Sequence, residues 1–500
     1  MYEMSDGLLT GFSVALSWGN LFYCFLGVLT GTLIGVLPGL GPSATISLLL
    51  PATFYLPPTP AIIMLSGVYY GAMYGGSTTS ILVNIPGEAA SVVTCLDGYQ
   101  MARQGRAGPA LGISALGSFI AGTIGVLGLM IAAPFLARFA LRFGSPEYFS
   151  LIFMAFSMVI YLASGSVIKA VMIIVLGVFV GSIGVDFITG DLRFTFGSLT
   201  LSDGVGLVPV VMGLFGIGEV LENLEEETGQ IQILRTKLKG LLPTIQDWKD
   251  SLGPILRGTV LGFSLGILPG GGAVMSSFAS YALEKRISKH PEQFGKGAIQ
   301  GVAGPESANN AGSSSNFIPL LTLGLPCNPV MALLLGSLLI HGISPGPMLI
   351  KDHPELFWGV ISSMYIGNVM LVLLNLPLIG LWVRLLSVPY SVLFPLILLF
   401  CLIGAYSLNN NVWDIIVMVF FGIFGYLMRK FNYEAAPFVF ALVLSPMFEE
   451  SLRQSLLMSE GSFAIFFTRP ISCVLMVTGI VLFSVAALPW FKRKPFRESQ

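Results

Sequence analysis

The chain contains 500 residues, of which 54% are hydrophobic and only 10% are charged, and its mean hydropathy is +0.83. Soluble domains carry about 25% charged residues, whereas this chain has recurrent apolar runs of about 20 residues, the length that crosses a bilayer. The composition excludes an ordinary soluble protein and predicts an all-α polytopic membrane protein. The formal net charge of −1 and the lack of a long basic tract give no reason to expect a nucleic-acid partner.

The five cysteines and three histidines are scattered along the chain. They form no CxxC or HExxH pattern, so the sequence predicts no metal centre, no disulfide framework and no bound cofactor. No basic region precedes the first long apolar run at residues 21–37. We therefore expect that run to be a retained span and not a cleaved signal peptide.

A stripe of glycines marks this first span. Gly27, Gly31, Gly35 and Gly39 recur every four residues, which places them on one helix face and lets another backbone approach closely. Pro38 removes a backbone donor and clashes with the preceding turn, so the helix must break there. The apolar run at 46–51 is too short to cross, and we predict a re-entrant or half-helix element.

The rest of the first half alternates polar stretches and apolar runs. Residues 51–60 contain four prolines and no charge, which predicts a turn before a helix restarts at 61–72. A stretch rich in hydroxyl and amide side chains follows at 75–88. Further spans are predicted at about 109–137, 147–163, 167–184 and 205–221, and the highly charged residues 222–253 predict a linker between two halves.

The glycine stripe recurs directly after this linker. Gly258, Gly262, Gly266 and Gly270 repeat the spacing, and Pro269 repeats the break. Seven of the fifteen positions in residues 27–41 are identical in residues 258–272, so we interpret the two stretches as an internal repeat. Paired broken helices in corresponding halves indicate a transporter's substrate site. The alternative is that both breaks are only packing kinks.

The second half repeats the order of elements. A charged turn at 284–296 follows the second break, and a polar stretch at 304–316 runs into an apolar segment that ends at Pro326. Further spans are predicted at about 328–342, 356–386, 388–406, 412–428, 434–448 and 471–490, which gives about 12 spans. The predicted organisation is a first transmembrane repeat at 1–221, the linker at 222–253, a second repeat at 254–450, and a C-terminal span with a basic cytoplasmic tail at 451–500.

The distribution of Lys and Arg predicts the orientation, because short cytoplasmic loops are enriched in these residues. The C-terminal tail and the turn at 284–296 are basic and are predicted to be cytoplasmic, whereas the uncharged turn at 51–60 is predicted to be outside. Corresponding elements then face opposite sides. This favours two inverted-topology repeats over parallel ones.

Two polar clusters lie beside the predicted breaks and contain no Lys or Arg. Helix N-termini, hydroxyls and amides can still hold an anion, and the same groups offer hard oxygen ligands for Na⁺. The alternative is that the clusters only join helices by hydrogen bonds. The candidate substrate-binding residues are Gly39, Gly41, Ser43, Ser77, Thr78, Thr79, Ser80 and Asn84 in the first half, and Gly270, Gly271, Gly272, Asn309, Asn310, Ser313, Ser314, Ser315 and Asn316 in the second.

Glu88 and Glu306 flank the two clusters. Ionisable groups at membrane depth are expensive and usually functional. We predict that both couple transport to an ion, either as proton carriers or as cation ligands. The alternative is that each caps a helix at the aqueous edge.

Four stretches make the sequence recognisable: GTLIGVLPGLGPSATISLLLP, YGGSTTSILVNIPGEAASVVT, GPESANNAGSSSNFIPLLTLGLP and LLLGSLLIHGISPGP. Together they resemble the large membrane subunit of tripartite tricarboxylate transporters, the TctA-like family, from about residue 20 to about residue 450. The family's signature falls on residues 39–43, 75–88 and 306–316.

The resemblance implies a secondary transporter of the bacterial inner membrane, driven by a Na⁺ or H⁺ gradient without an ATPase. It also implies a smaller TctB-like membrane subunit and a TctC-like periplasmic binding protein that delivers a carboxylate such as citrate. The family includes importers of other carboxylates, so its name does not identify the substrate. We expect a large permease subunit that imports a carboxylate by ion symport. One alternative is a gradient-independent anion channel. An intramembrane enzyme would need a catalytic constellation that the spans do not offer.

Overall fold

The computed structural model describes residues 2–37, 41–163, 166–186, 188–225, 240–385 and 390–492. The first half contains α1 (Tyr2–Ala15), α2 (Trp18–Val36), α3 (Pro42–Thr53), α4 (Pro58–Val83), a 3₁₀ turn (Ala89–Ser91), α5 (Val92–Arg103), α6 (Ala107–Ala140), α7 (Ser145–Leu162), α8 (Val167–Gly181), and α9 (Leu207–Val211), which continues through a π-helical turn (Met212–Ile217) into α10 (Gly218–Glu225). Strands β1 (Gly184–Val185) and β2 (Leu192–Arg193) form a small antiparallel hairpin in which Gly184 pairs with Arg193.

The second half is also helical. It contains α11 (Ile245–Gly266), α12 (Gly272–Ile287), a 3₁₀ turn (Pro291–Gln293), α13 (Gln300–Ser315), α14 (Phe317–Leu323), α15 (Pro329–Ile340), α16 (Leu349–Asp352), α17 (Pro354–Asn375), α18 (Ile379–Leu385), α19 (Tyr390–Asn409), α20 (Val412–Lys430), α21 (Ala435–Met458), α22 (Ile465–Thr468) and α23 (Pro470–Lys492).

Eight helices of the described residues are long and apolar enough to cross a membrane. They are Trp18–Val36, Ala107–Ala140, Ser145–Leu162, Leu207–Glu225, Pro354–Asn375, Val412–Lys430, Ala435–Met458 and Pro470–Leu488. Three further apolar helices, Val167–Gly181, Pro329–Ile340 and Leu393–Asn409, are shorter. The predicted all-α polytopic membrane protein is confirmed, whereas the count of about 12 spans stays a prediction.

The helix of the second stripe begins earlier than the sequence pattern indicates. Helix α11 begins at Ile245, within the stretch predicted as a linker. Thr244 caps it: its hydroxyl accepts from the Asp247 N–H at 3.2 Å, and the Asp247 carboxylate accepts from the Thr244 N–H at 2.9 Å. This reciprocal pair satisfies two backbone donors that a helix start otherwise leaves unpaired.

The two glycine stripes pack in the same way. Helix α2 lies against α4, and α11 lies against α13. A Cβ on any of the first three glycines of either stripe would collide with a backbone carbonyl of the partner helix. The collisions pair Gly27 with Met64, Gly31 with Val68 and Gly35 with Ala72 in the first half, and Gly258 with Gly304, Gly262 with Ala308 and Gly266 with Gly312 in the second. The close backbone approach that the stripes predicted is therefore present in both halves.

Each half contributes one helix that packs on the central helix pair of the other half. Helix α6 of the first half lies on α11 and α13, and α17 of the second half lies on α2 and α4. Farther along the chain, α8 packs on α21, and α20 packs on the continuous helix from Leu207 to Glu225. The pairs α2–α4 and α11–α13 are thus each covered by a helix from the other half.

Asp97 on α5 fastens the first half to the turn before α13. The side chain is fully buried. One carboxylate oxygen accepts from the N–H groups of Gly295, Gly297 and Ala298, each at 2.8 Å, and the other accepts from the Tyr281 hydroxyl at 2.9 Å. Hydrogen bonds to an ionised acceptor are the strong ones, so this single carboxylate orders the whole turn.

His341, at the end of α15, makes the reciprocal contact with the turn before α4. One ring nitrogen faces the Ser337 carbonyl at 2.7 Å. The other faces the carbonyls of Thr53 and Leu56, each at 3.2 Å. The scattered histidine that the sequence left without a role therefore joins the second half to a turn of the first.

We expect Gly31→Ala to destabilise the protein, because the added methyl group would meet the Val68 carbonyl, which is backbone and cannot rotate away. Overpacking of this kind costs about 1–3 kcal/mol. The measurement is the thermal unfolding midpoint of the purified protein in detergent. Gly19→Ala on the same helix is the control, since nothing lies within 4 Å of a Cβ there. Equal midpoints for the two variants would contradict the packing described above.

Candidate functional site

The two helix breaks open onto one cavity of about 540 Å³. The start of α3 forms one wall and the start of α12 forms another. The polar and glycine residues of the lining are Gly41, Ser43, Tyr69, Glu88, Glu219, Gly270, Gly271, Gly272, Asn328 and Glu434. Most of the remaining lining is apolar and includes Met73, Phe215 and Phe440. The predicted breaks of the two stripes therefore meet at a single site.

The first wall is the N-terminus of α3. Gly41 is the N-cap and has no side chain that could cap the helix. The carboxylate of Glu219, on α10, accepts the N–H of Gly41 itself at 3.0 Å. Ser43 follows in the first turn and also lines the cavity. The predicted site residue Gly39 lies outside the described residues.

The second wall is the break between α11 and α12. Gly270 and Gly272 have φ angles of +80° and +46°, a left-handed conformation that residues with a side chain rarely adopt. The Gly270 N–H donates to the Cys327 carbonyl at 2.8 Å, which fixes the break against the start of α15. The glycines thus permit the sharp turn, and they also leave the cavity open on this side.

Tyr69 lies between the second wall and the helices behind it. Its hydroxyl accepts a hydrogen bond from the Asn328 amide at 3.0 Å. It donates to the side-chain oxygen of Asn316 at 2.7 Å, and the nitrogen of that amide donates to the Gly312 carbonyl at 3.2 Å. Asn316 therefore orients Tyr69 and Asn328, which line the cavity, although it is not itself part of the lining.

The first polar cluster is helical and lies in the C-terminal half of α4. The Thr79 hydroxyl donates to the Val36 carbonyl at 2.7 Å, and the Ser80 hydroxyl donates to the Gly76 carbonyl at 3.0 Å. Thr78 borders a small void away from the main cavity. Asn84 ends α4 with a φ of +63° and is exposed. The structure does not bring these four residues to the cavity wall.

The second polar cluster occupies the C-terminal half of α13, and its side chains are buried. Three of its hydroxyls donate to carbonyls one turn back in their own helix, namely Ser313 to Asn309, Ser314 to Asn310 and Ser315 to Gly312. The Asn310 amide donates to the Ser118 hydroxyl on α6 at 2.7 Å. Hydroxyls in buried helices commonly form such bonds, so much of this cluster joins helices.

Glu88 connects the cavity to the second cluster. Its side chain is 8% exposed and lines the cavity. One carboxylate oxygen accepts from the Ala90 N–H at 2.6 Å, and the other accepts from the Asn309 amide at 3.2 Å. The amide oxygen of Asn309 has no hydrogen-bond partner among the described residues.

Glu306 lies deeper, and its residue is only 1% exposed. Its carboxylate accepts hydrogen bonds from the hydroxyls of Ser77 on α4 and Thr94 on α5. Of the cationic side chains that the structure describes, none forms an ion pair with Glu306 or Glu88 within 4 Å. A buried carboxylate without a counter-charge is expensive, so a proton or a bound cation would stabilise both groups.

Sequence reasoning missed four polar residues of the lining: Tyr69, Glu219, Asn328 and Glu434. The position of Asn328 could have been found, because it follows Pro326 at the spacing by which Glu88 follows Pro86. The two residues also have the same backbone conformation, with φ and ψ of −150° and 164° at Glu88 and −151° and 173° at Asn328. Glu219 is the acid within an otherwise apolar span, which is also a readable signal.

A second cavity, of about 460 Å³, lies at the other end of α21. Both arginines of its lining are already paired with acids of the same lining: Arg453 donates to Asp186 at 2.6 Å, and Arg193 donates to Glu449 at 2.7 Å. The hydrogen bond from Arg453 holds the pKa of Asp186 well below its usual range. These ion pairs hold the β-hairpin against α21. Because its arginines are already paired, this cavity is a weaker candidate for the substrate site than the cavity between the breaks.

Comparisons with known proteins agree with this architecture. The family model described as "Tripartite tricarboxylate transporter TctA family" matches residues 21–440. An uncharacterised 52.8 kDa protein in the TAR-I ttuC' 3' region of Agrobacterium vitis is 51% identical over 494 residues, which cover 99% of this chain and 98% of that protein. Another Agrobacterium vitis protein, from the TAR-II ttuC' 3' region, is 52% identical over 233 residues, or 47% of this chain and 96% of its own length. No solved structure matches. The resemblance seen in the sequence motifs is confirmed, and the chain belongs to the tripartite tricarboxylate transporter TctA family.

Proposed function

We propose that this chain is the large permease subunit of a binding-protein-dependent secondary transporter, which imports a carboxylate by symport with Na⁺ or H⁺. The observation that carries the proposal is the cavity lined by Gly41 at the start of α3 and by Gly270, Gly271 and Gly272 at the start of α12. Membership in the TctA family makes a TctB-like small membrane subunit and a TctC-like periplasmic binding protein the expected partners, in a bacterial inner membrane.

The substrate would be held mainly by neutral donors. The start of α12 offers backbone N–H groups and the positive end of a helix dipole, both of which favour an anion. The Ser43 hydroxyl lies in the same cavity and can donate a directed hydrogen bond. The Tyr69 hydroxyl and the Asn328 amide also line it, but their hydrogens are already donated to Asn316 and, from Asn328, to Tyr69. Asn316 acts behind them by orienting Tyr69 and Asn328.

Glu88 and Glu306 are the proposed coupling groups. Glu88 lies in the cavity wall, and Glu306 is joined through Ser77 and Thr94 to the helices beside it. A proton or Na⁺ on either carboxylate would remove an uncompensated buried charge. For Glu88 it would also lower the repulsion of an anion in the same cavity.

The contacts between the central helices support the inverted repeat. Tyr69, early in α4, meets Asn316 at the end of α13, whereas Ser77, late in α4, meets Glu306 early in α13. The corresponding helices of the two halves therefore run antiparallel, as inverted-topology repeats require. If the basic end of α20 and the C-terminal end of α23 face the cytoplasm, as the enrichment of Lys and Arg in cytoplasmic loops predicts, then Glu434 of the cavity lining lies on the cytoplasmic side. This favours an inward-facing state.

Gradient-driven uptake is the direct test. Proteoliposomes would contain this chain and its small membrane partner, with the matching binding protein outside and labelled citrate or dicarboxylates as cargo. We expect accumulation only when a Na⁺ or a pH gradient is imposed, and the effective gradient identifies the coupling ion. Protein-free liposomes are the control. Equilibration that ignores both gradients would instead indicate an anion channel.

We expect Glu306→Gln to separate transport from its driving ion. The amide oxygen keeps an acceptor for one of the two hydroxyls of Ser77 and Thr94, and the amide NH₂ can donate to the other, but the amide cannot take up a proton or balance a cation. Downhill exchange of the carboxylate should persist, while gradient-driven accumulation should fall by about tenfold or more, since each factor of ten reflects about 1.4 kcal/mol of lost coupling. Glu88→Gln should act similarly. Glu292→Gln, whose side chain is 64% exposed, is the control, and unchanged accumulation in Glu306→Gln would rule out its coupling role.

Cysteine labelling tests the inverted topology. In a background without the five native cysteines, Tyr55→Cys should react with a membrane-impermeant maleimide in intact spheroplasts, because Tyr55 is 67% exposed at the turn before α4. Lys289→Cys, in the charged turn before α13, should react only after lysis. Labelling of both positions from one side would contradict the inversion.

A further inference from the structure

A wide cleft lies where α1, the C-terminal end of α6 and the segment before α17 meet. Its volume is about 1150 Å³. Among the described residues, its lining shares no member with the cavity between the helix breaks. The proposed transport function therefore gives this cleft no role.

The cleft lies at one surface of the membrane. Lys351 and Pro354 line it, and Pro354 begins α17, a helix long and apolar enough to cross. Trp358, one turn into α17, also lines it, and indole rings are enriched at membrane–water interfaces. The 34 residues of α6 give about 51 Å of helix, whereas the hydrocarbon core is about 30 Å thick. The last turns of α6 therefore reach the level of the lipid headgroups.

One wall of the cleft is apolar and continues into the outer surface of the helix bundle. Ile131 and Phe135, on α6, line the cleft and are 56% and 77% exposed. Leu141, just after the end of α6, also lines it and is 49% exposed. An exposed apolar patch on a membrane-spanning helix is a surface for lipid, so this wall fits an acyl chain.

The cleft also carries two opposite charges that are not paired. Lys351 on α16 and Asp6 on α1 both line it and are exposed. In the part of the chain that the structure describes, neither forms an ion pair within 4 Å. Arg138, in the last turn of α6, adds a second cation to the lining. A ligand that matches these charges presents an anion to Lys351 and a cation to Asp6.

An anion, a cation and an apolar chain in one molecule describe a zwitterionic phospholipid. We propose that the cleft binds an aminophospholipid of the phosphatidylethanolamine type. Its phosphate pairs with Lys351 and its ammonium group donates to Asp6, while an acyl chain lies along Ile131 and Phe135. Basic pockets between membrane helices bind anionic headgroups, and the carboxylate of Asp6 is what makes this cleft favour a zwitterion instead.

Competition between two lipids tests this site. Phosphatidylethanolamine and phosphatidylglycerol with the same acyl chains share the phosphate, but only the first has an ammonium group. The full chain is purified in detergent, stripped of lipid and mixed with equal amounts of both, and native mass spectrometry measures the one-to-one complexes. The unaltered protein should retain phosphatidylethanolamine about fivefold better, because Asp6 attracts the ammonium group and repels a lipid with a net negative charge.

Two variants separate the two charges. Asp6→Asn should reduce the preference to within about twofold, because a neutral amide neither attracts the ammonium group nor repels the anionic lipid. Lys351→Gln should weaken the binding of both lipids, because both present a phosphate. Asp352→Asn and Arg142→Gln are the matched controls, since both residues are exposed but do not line the cleft, and they should bind as the unaltered protein does.

Equal retention of the two lipids by the unaltered protein, or a preference that survives Asp6→Asn, would overturn the assignment. Loss of the preference in Asp352→Asn as well would indicate a general effect of surface charge and would overturn it too. Retention of neither lipid would also contradict the proposal and would leave the cleft as a surface for a protein partner. None of these results would affect the proposed carboxylate transport, which uses a separate cavity.

Discussion

The structure depends on two places where helix backbones touch without intervening side chains. Along α2 and α11, the partner carbonyls of α4 and α13 occupy the space that a Cβ would need. Lipid gives no hydrophobic drive for such pairing, so close van der Waals packing has to supply it. Since α17 covers the first pair and α6 covers the second, α4 and α13 are screened from lipid. Only helices screened in this way can carry Glu306, Asn309 and Ser77 at the centre of a membrane protein.

The polar groups at this centre belong to both halves, so a change of charge in one half alters hydrogen bonds made by the other. Glu306 of the second half accepts from Ser77 and Thr94 of the first, and Glu88 of the first accepts from Asn309 of the second. A proton or cation that changes the charge of either acid changes hydrogen bonds that cross between the halves. The buried amide oxygen of Asn309, which lacks a partner in the described chain, marks the place where this network is incomplete.

The sequence was most informative where backbone geometry alone decides the outcome. Glycine spacing predicts the α2–α4 and α11–α13 contacts, and Pro269 with Gly270 predicts a break, because no other residue types satisfy those constraints. The sequence was less informative about where along each helix the polar side chains lie and which way they face. The polar clusters at residues 77–80 and 309–316 were expected beside the helix breaks, but they occupy the C-terminal halves of α4 and α13, where the Ser313 hydroxyl donates to the Asn309 carbonyl. Composition does not distinguish a hydroxyl that faces a ligand from one that bonds its own helix. Tyr69 reaches the cavity only through tertiary packing, which no local pattern encodes. The apolar span around Glu219 marks it as a candidate, but only the packing shows that it lines this cavity.

The acidic lining also bears on why uptake would need an ion at all. An anion placed in the cavity beside an ionised Glu88 is repelled by it, and the repulsion is strong because the surroundings exclude water. The same anion beside a protonated or cation-bound Glu88 is not repelled. Under the proposed function, substrate and ion would each strengthen the binding of the other, and this coupling would be reciprocal. Lysines in the wall would bind the anion unaided and would remove that dependence. A cavity built from amides, hydroxyls and carboxylates would bind an acid more weakly, but it would make the binding conditional on the driving ion.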